Sequence, residues 1–149
     1  MLKFKNTARV FLIFIFILLL FPAWAQYPYI QKIRFSIPAK EPVFSKVLQD
    51  KKGFMWLGSD NGLFRFDGII FKQFFSPLDS VEFHVTAIHE GPDGIIWVGC
   101  KDGRIYRLEE GVISLFNPEE GTAEKAISDI IFDKDGVMWW STNGEGIYF

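Results

Sequence analysis

The residues of this chain best suited to chemistry are its two histidines and its one cysteine, His84, His89 and Cys100. Neutral imidazole is a common metal ligand and general base, and a thiolate is a strong nucleophile. Both histidines are predicted to lie on one β-strand, five residues apart, so that alternation directs them to opposite faces. Because opposite faces cannot chelate one ion, ordinary packing or contact with a ligand is favoured over metal binding. Cys100 follows Trp97 in a small-residue position, which predicts a buried and unreactive thiol.

Charged side chains are a second possible source of chemistry. The carboxylate pairs Glu109-Glu110 and Glu119-Glu120 fall in turns or linkers, where adjacent side chains rarely hold acid–base geometry. Arg65 and Arg107 take matched positions on predicted strands, where they either stay solvated or reach a ligand. No phosphate-binding glycine loop, Gly-x-Ser-x-Gly elbow, His-Glu-x-x-His helix or Cys-x-x-Cys occurs. The sequence therefore predicts no catalytic residue, no metal site, no cofactor and no enzymatic activity for this chain.

Composition excludes several classes of protein. The 149 residues include 16 Lys+Arg, 18 Asp+Glu and one Cys, with 49% hydrophobic and 17% aromatic residues. Without the first 25 residues, 13 basic and 18 acidic side chains remain, a net charge of about −5, which excludes a basic nucleic-acid-binding surface. One cysteine cannot form an internal disulfide, and the apolar content is too high for intrinsic disorder. The length predicts a single domain.

The amino terminus is predicted to be an export signal. Basic residues precede the twelve apolar residues Val10–Phe21, and Ala23-Trp24-Ala25 supplies the small residues of a cleavage site. Twelve residues span about 18 Å as a helix, against about 30 Å for the hydrocarbon core of a bilayer. We therefore expect a cleaved signal peptide over residues 1–25 and a lead-in segment over 26–42, with an uncleaved anchor as the alternative. Either form would place the rest of the chain in the periplasm or another extracytoplasmic space.

The rest of the chain is organised by a repeat. A glycine and the tryptophan that follows it recur at separations of 41 and 42 residues. The repeated positions are Asp50, Gly53, Trp56, Gly58 and Gly62 in the first unit, Gly94, Trp97, Gly99 and Gly103 in the second, and Asp133, Gly136, Trp139, Gly144 and Gly146 in the third. The three units are predicted to cover about residues 43–82, 83–124 and 125–149, which together form one β-domain over 43–149.

Each unit is predicted to form four short antiparallel strands. In the second unit these cover about Val85–His89, Ile95–Gly99, Arg104–Leu108 and Val112–Phe116, with Asp-Gly or Glu-Gly hairpin turns between them. A repeated four-stranded meander of about 40 residues is typical of β-propeller blades. The predicted fold class is therefore all-β, an incomplete β-propeller of about three blades after a signal peptide.

The repeated side chains are interpreted as structural. Asp50 and Asp133 precede turns, which favours a turn-stabilising role over catalysis. The tryptophans could form a sugar-stacking platform, but their strict register favours filling the wedge between two twisted sheets. Propeller ligands usually lie at the channel mouth, here near residues 43–47, 83–87 and 126–130. One sequence does not choose among these positions, so no ligand-binding residue is assigned.

The first unit resembles the two-component regulator propeller repeat. Residues 50–59 (DKKGFMWLGS) match the pattern D-x-x-G-x-[IM]-W-x-G-[TS] at every position. The second unit departs from it with Gly91 in place of Asp and Cys100 in place of Thr or Ser, and the third departs at Trp140-Ser141. The resemblance covers about residues 27–149.

The resemblance implies a function in signalling. In that family the propeller is the periplasmic sensor of a membrane receptor, most often a hybrid histidine kinase that detects oligosaccharides. It implies as partners an oligosaccharide ligand, the remaining blades and output domains of a longer receptor, and a second copy in a homodimer. The expected mechanism is a rearrangement of propeller dimers that biases a two-state kinase.

Blade number suggests that more chain follows. Propellers typically close with four to eight blades, so we expect this chain to be the amino-terminal piece of a longer protein or a truncated reading frame. A ring assembled from several short secreted copies is the alternative. The alternative functions are a secreted propeller lyase or hydrolase acting on a glycan or antibiotic, and a scaffold that binds other proteins.

Overall fold

The computed structural model describes residues 41–78, 82–117 and 123–149, together with the single residue Phe11. The predicted signal peptide, apart from Phe11, and the predicted lead-in segment up to residue 40 lie outside the described residues. No helix in the described part of the chain is long and apolar enough to cross a membrane.

The described residues form eleven β-strands in three antiparallel sheets. The strands are β1 (Phe44–Gln49), β2 (Met55–Ser59), β3 (Gly62–Phe66), β4 (Phe71–Phe74), β5 (Val85–Glu90), β6 (Ile96–Cys100), β7 (Ile105–Glu109), β8 (Val112–Phe116), β9 (Ile127–Phe132), β10 (Met138–Thr142) and β11 (Ile147–Tyr148). Sheet 1 contains β1–β4, sheet 2 contains β5–β8 and sheet 3 contains β9–β11, each paired in chain order. These meanders confirm the predicted all-β propeller-blade fold.

The strand bounds differ from the predicted ones by about one residue. In sheet 2 the second strand begins at Ile96 rather than Ile95, and the third begins at Ile105 rather than Arg104. The turns account for this shift: Gly91 N donates to Ile95 O at 2.8 Å, and Cys100 N donates to Arg104 O at 2.9 Å. Each of these bonds closes a hairpin turn, so the regular ladder starts one residue further along.

The three sheets fan out from a common axis. They approach one another most closely at their first strands, where β1 lies against β5 and β5 lies against β9. We call these the inner strands, the contact between sheets 1 and 2 joint 1, and the contact between sheets 2 and 3 joint 2. This arrangement buries one face of each sheet against its neighbour, as propeller blades do.

Each joint has its own apolar core. Joint 1 buries Trp56, Leu63, Phe74, Phe83, Val85, Ile96, Val98, Cys100, Tyr106 and Leu108. Joint 2 buries Ala87, Trp97, Ile105, Ile127, Ile130 and Trp140. The repeated tryptophans of the first two units therefore pack between their own sheet and the next one, Trp56 in joint 1 and Trp97 in joint 2.

Two glycines allow the sheets to approach closely. A Cβ on Gly99 would lie 2.5 Å from Ile127 Cγ2 and 2.6 Å from Ile127 Cβ. A Cβ on Gly58 would lie 2.5 Å from Val85 Cγ1. Carbon atoms in contact prefer about 3.5–4.0 Å, so an inner-strand side chain of the next sheet occupies the space that a Cβ would need.

Candidate functional site at the inner strands

Each inner strand carries a β-bulge at its second residue. The pairing register shifts between Phe44 and Lys46 in β1 and between Val85 and Ala87 in β5. In β9 the shift falls between Ile127 and Asp129, which leaves Ser128 between them as the extra residue. Bulges redirect side chains and are common at the rims of barrels and beside binding sites. The three bulges therefore mark the same end of all three inner strands.

All three bulge residues are hydroxyl residues, Ser45, Thr86 and Ser128. Ser45 Oγ donates to Val85 O at 3.1 Å, across joint 1. Thr86 Oγ1 donates to Gly99 O at 3.2 Å within its own sheet. Ser128 Oγ lies 2.9 Å from Ser141 Oγ. Ser45 and Ser128 are exposed and Thr86 is half-buried, so each hydroxyl oxygen keeps an acceptor lone pair for a further partner.

Charged side chains follow two of the hydroxyls. Lys46 and Asp129 are exposed at the residue after the bulge, and buried Ala87 takes the equivalent position in sheet 2. The three strand ends thus offer hydroxyls, an ammonium and a carboxylate. Such a set can donate and accept hydrogen bonds to a polar, multiply hydroxylated ligand. We call Ser45, Lys46, Thr86, Ser128 and Asp129 the axial polar cluster.

The two histidines do not share a strand. His84 precedes β5, where its carbonyl accepts a 2.9 Å hydrogen bond from Lys101 N. His84 therefore lies just outside the ladder, whose first residue pair is Val85 and Cys100. The ring of His89 lies 5.8 Å from the ring of Phe132, across joint 2. Among the described residues, no three His, Cys, Asp or Glu side chains are grouped so that they could hold a metal ion.

Cys100 and Tyr106 are buried in joint 1. Burial raises the pKa of the Cys100 thiol far above its usual range, since a thiolate would lose its hydration there. Burial also raises the pKa of Tyr106, whose hydroxyl lies 3.5 Å from Ser76 Oγ. Both groups stay neutral at physiological pH.

The repeated aspartates hold the indole rings of their own sheets. Asp50 Oδ2 accepts a 2.8 Å hydrogen bond from Trp56 Nε1, and its Oδ1 accepts from two turn amides, Lys52 N and Phe54 N. Asp133 Oδ2 accepts from Trp139 Nε1 at 2.9 Å in the same way. Hydrogen bonds from Trp139 and from turn amides lower the pKa of Asp133.

The turn bonds of these aspartates agree with the turn role inferred from the sequence. Their hydrogen bonds to the indole N–H groups of Trp56 and Trp139 were not predicted from the sequence. The constant separation of six residues between the aspartate and the tryptophan is the signal that could have revealed them.

The two matched arginines differ in environment. The Arg65 guanidinium lies 4.5 Å from the centre of the Phe54 ring and 5.8 Å from that of Trp56. Arg107 is exposed, and its Nε donates to Ser114 Oγ at 3.1 Å. Both arginines therefore lie on sheet surfaces away from the axial polar cluster.

The carboxylate pairs also lie away from the cluster. Glu109 ends β7, and Glu110 lies in the following turn with a φ of 49°. Glu119 and Glu120 lie outside the described residues.

The axial polar cluster falls within the segments 43–47, 83–87 and 126–130 that the sequence pointed to, but the individual residues were missed. Their signal is simple: Ser45, Thr86 and Ser128 are separated by 41 and 42 residues, as the glycines and tryptophans are. A repeated hydroxyl is less conspicuous than a repeated tryptophan because serine and threonine are common in loops.

Comparisons with known proteins support the fold. No protein-family model and no curated protein matches the chain. Among solved structures, a catalytically inactive virginiamycin B lyase from Staphylococcus aureus, in complex with quinupristin, matches with a TM-score of 0.61 and 23% identity over 72% of this chain. A streptogramin B lyase matches with a TM-score of 0.57 and 18% identity over 76% of this chain.

A sensor protein is also similar. The extracellular domain of a B. thetaiotaomicron protein assigned to the hybrid two component systems matches with a TM-score of 0.55 and 26% identity over 71% of this chain. The chain spans 37% of the S. aureus lyase and 15% of the B. thetaiotaomicron domain. Its three sheets therefore have the propeller fold that is found both in streptogramin lyases and in the extracellular domains of two-component sensors.

Proposed function

We propose that the chain forms part of the extracytoplasmic sensory propeller of a two-component receptor and that it binds an oligosaccharide at the axial polar cluster. Further blades and output domains of a longer, dimeric, membrane-anchored receptor would complete the signalling protein. On this proposal the chain itself carries no catalytic group, and the chemistry of signalling belongs to a kinase elsewhere in the receptor.

The observation that carries the proposal is the repetition of a bulged hydroxyl at the same end of each inner strand. A bulge redirects the side chain of its extra residue, and each of these hydroxyl oxygens keeps a lone pair for a ligand in addition to its hydrogen bond within the protein. Solvent-accessible hydroxyls flanked by one cation and one carboxylate suit a ligand with many donors and acceptors and little charge. Oligosaccharides have this character. The likeness to an extracellular two-component domain supports the same assignment.

A binding experiment tests the proposal. Neutral and acidic oligosaccharides are screened against the chain by thermal shift, and hits are titrated by calorimetry. The triple variant Ser45→Ala, Thr86→Ala and Ser128→Ala should weaken binding at least tenfold, because each lost hydrogen bond to a ligand contributes about 1 kcal/mol. Ser114→Ala, a hydroxyl removed from the outer strand β8, is the matched control and should leave binding unchanged. If the triple variant binds as tightly as the unmodified chain, the proposed site is wrong.

A second candidate function is a lyase acting on a streptogramin antibiotic. The observation that favours it is the TM-score of 0.61 to the virginiamycin B lyase. The solved variant of that enzyme lacks one histidine and is inactive, so a lyase here would need a histidine that reaches the substrate. His84, beside the axial polar cluster, is the candidate, because His89 packs against Phe132.

The two functions are distinguished by incubation with virginiamycin B. Consumption of the antibiotic, followed by chromatography and mass spectrometry and abolished by His84→Ala, would establish the lyase. An unchanged antibiotic together with saturable oligosaccharide binding would establish the sensor.

A further inference from the structure

The two joints differ in the interactions that hold their sheets together, although both are formed by the same repeat. Joint 1 contains directional polar links between sheets. Ser45 Oγ donates to Val85 O, and Lys51 N donates to Glu90 Oε2 at 2.9 Å. Lys51 Nζ also lies 3.5 Å from Gly91 O. Hydrogen bonds depend on distance and angle, so these links fix the position of sheet 2 on sheet 1.

Joint 2 has lost both partners of the main polar link. The position equivalent to Lys51 is Pro92, which has no backbone N–H to donate. The position equivalent to Glu90 is Phe132, whose ring lies 5.8 Å from the ring of Trp97. Donor and acceptor are replaced together, which puts an apolar contact in the place of this hydrogen bond.

The remaining link is also absent from joint 2. Thr86, the equivalent of Ser45, donates to Gly99 O in its own sheet rather than to sheet 3. In the described part of the chain, no side-chain hydrogen bond joins sheet 2 to sheet 3. The contact consists of apolar and aromatic side chains such as Ile127, Ile130 and Trp140. Apolar contact is non-directional, so it opposes separation of the sheets more than sliding.

The tryptophan of joint 2 is also held less firmly. Gly91 takes the position of Asp50 and Asp133, so Trp97 lacks the carboxylate that anchors the other two indoles. Trp97 is only 9% exposed, and its Nε1 has no hydrogen-bond partner among the described residues. A buried N–H without an acceptor destabilises the packed arrangement relative to any arrangement that lets it find one.

We propose that joint 2 is a sliding joint built into the propeller: sheets 2 and 3 shift over one another at an apolar interface, while joint 1 holds sheets 1 and 2 in fixed register. Shear, the small sliding of packed elements past one another, is an established mode of conformational change in proteins. The inference does not depend on the proposed ligand, since it compares two interfaces of one molecule.

Exchanging the chemistry of the joints tests this inference. The variant Gly91→Asp, Pro92→Lys and Phe132→Glu gives joint 2 the residues of joint 1. The matched variant Asp50→Gly, Lys51→Pro and Glu90→Phe gives joint 1 those of joint 2. Native-state hydrogen exchange, read by mass spectrometry, follows the backbone amides of β1, of β2 and β3, and of β9 and β10. Gly91→Asp alone is the milder variant, because its Cβ meets side chains only: the carboxylate of Asp93 must move, and the Trp97 ring, 3.0 Å away at Nε1, must shift slightly.

We expect amide exchange to change only in the strands next to the altered joint. Exchange in β9 and β10 should slow roughly tenfold in the first variant relative to β2 and β3, as one or two added hydrogen bonds imply. Gly91→Asp should give a smaller slowing of the same sign. The matched variant should accelerate exchange in β1 and leave β9 and β10 unchanged. A uniform change across all three sheets, or no change in β9 and β10 in both Gly91 variants, would overturn the proposal.

Discussion

Replacing Gly99 by alanine should weaken joint 2 by forcing the inner strand of sheet 3 away from sheet 2. The new Cβ would lie 2.5 Å and 2.6 Å from Ile127 Cγ2 and Cβ, and 3.1 Å from Ala87 Cβ. A rotamer change can move Cγ2 but not Cβ, so the inner strand β9 must withdraw by about 1 Å to reach normal contact distance. That withdrawal loosens the packing of the whole joint 2 core.

The expected cost follows from two opposing effects. Overpacking a close-packed core costs about 1–3 kcal/mol. Alanine also restricts the unfolded chain, which returns about 0.4–1 kcal/mol. The net loss in the free energy of unfolding is therefore about 1–2 kcal/mol. Gly58→Ala should cost less, because its closest contact is Val85 Cγ1, while Val85 Cβ lies 3.1 Å away.

Urea unfolding followed by tryptophan fluorescence measures this loss as a lower midpoint with an unchanged slope. The matched control is Ser141→Ala, at the equivalent position of sheet 3, where no further sheet packs among the described residues. The control loses only a solvent-accessible hydrogen bond to Ser128, so it should cost about 0.5 kcal/mol, less than Gly99→Ala. Equal effects of Gly99→Ala and Ser141→Ala would refute the idea that sheet approach requires the glycine.

Three further predictions concern single side chains. The Cys100 thiol should not react with a thiol reagent until the protein unfolds, since burial raises its pKa; rapid native-state labelling would contradict this. Arg65→Ala should lower stability by about 0.5–1 kcal/mol through loss of its contact with Phe54, while Arg107→Ala should change it little in the same urea titration. Because the pKa of Asp133 is lowered in the folded state, its stabilising effect is present above the ordinary carboxylate pKa and is lost as pH falls through the folded value. In the Asp133→Asn variant the free energy of unfolding should therefore fall less steeply as pH is lowered. An unchanged fall would disprove the contribution of Asp133 to acid sensitivity.

Much of the fold could be predicted because a blade is a local structure. Strands that pair in sheet 2 are neighbours in sequence, and glycine turns such as Asp93-Gly94 separate them, so spacing and composition were sufficient. His84 was placed on the strand wrongly, because the ladder begins with the pair of Val85 and Cys100 and His84 lies one residue before it. The point at which a ladder begins depends on the partner strand, which local composition does not describe.

The candidate site was only partly predictable. The repeat period located the segments that meet at the inner strands, but not the side chains that share one end of them. Ser45, Thr86 and Ser128 occupy one repeat position, yet each has a different hydrogen-bond partner. Ser45 bonds to the neighbouring sheet, whereas Thr86 and Ser128 bond within their own sheets, and the repeat position alone does not distinguish these cases.

The sequence alone determined that blades form, because glycine turns and alternating apolar residues act over fewer than about ten positions. Only the tertiary structure decided how the blades are joined. The bond between Lys51 N and Glu90 Oε2 spans 39 positions, and the loss of its equivalent at joint 2 depends on Pro92 and Phe132 together. The two residues of such a pair belong to different blades, so their contact exists only when the sheets pack face to face.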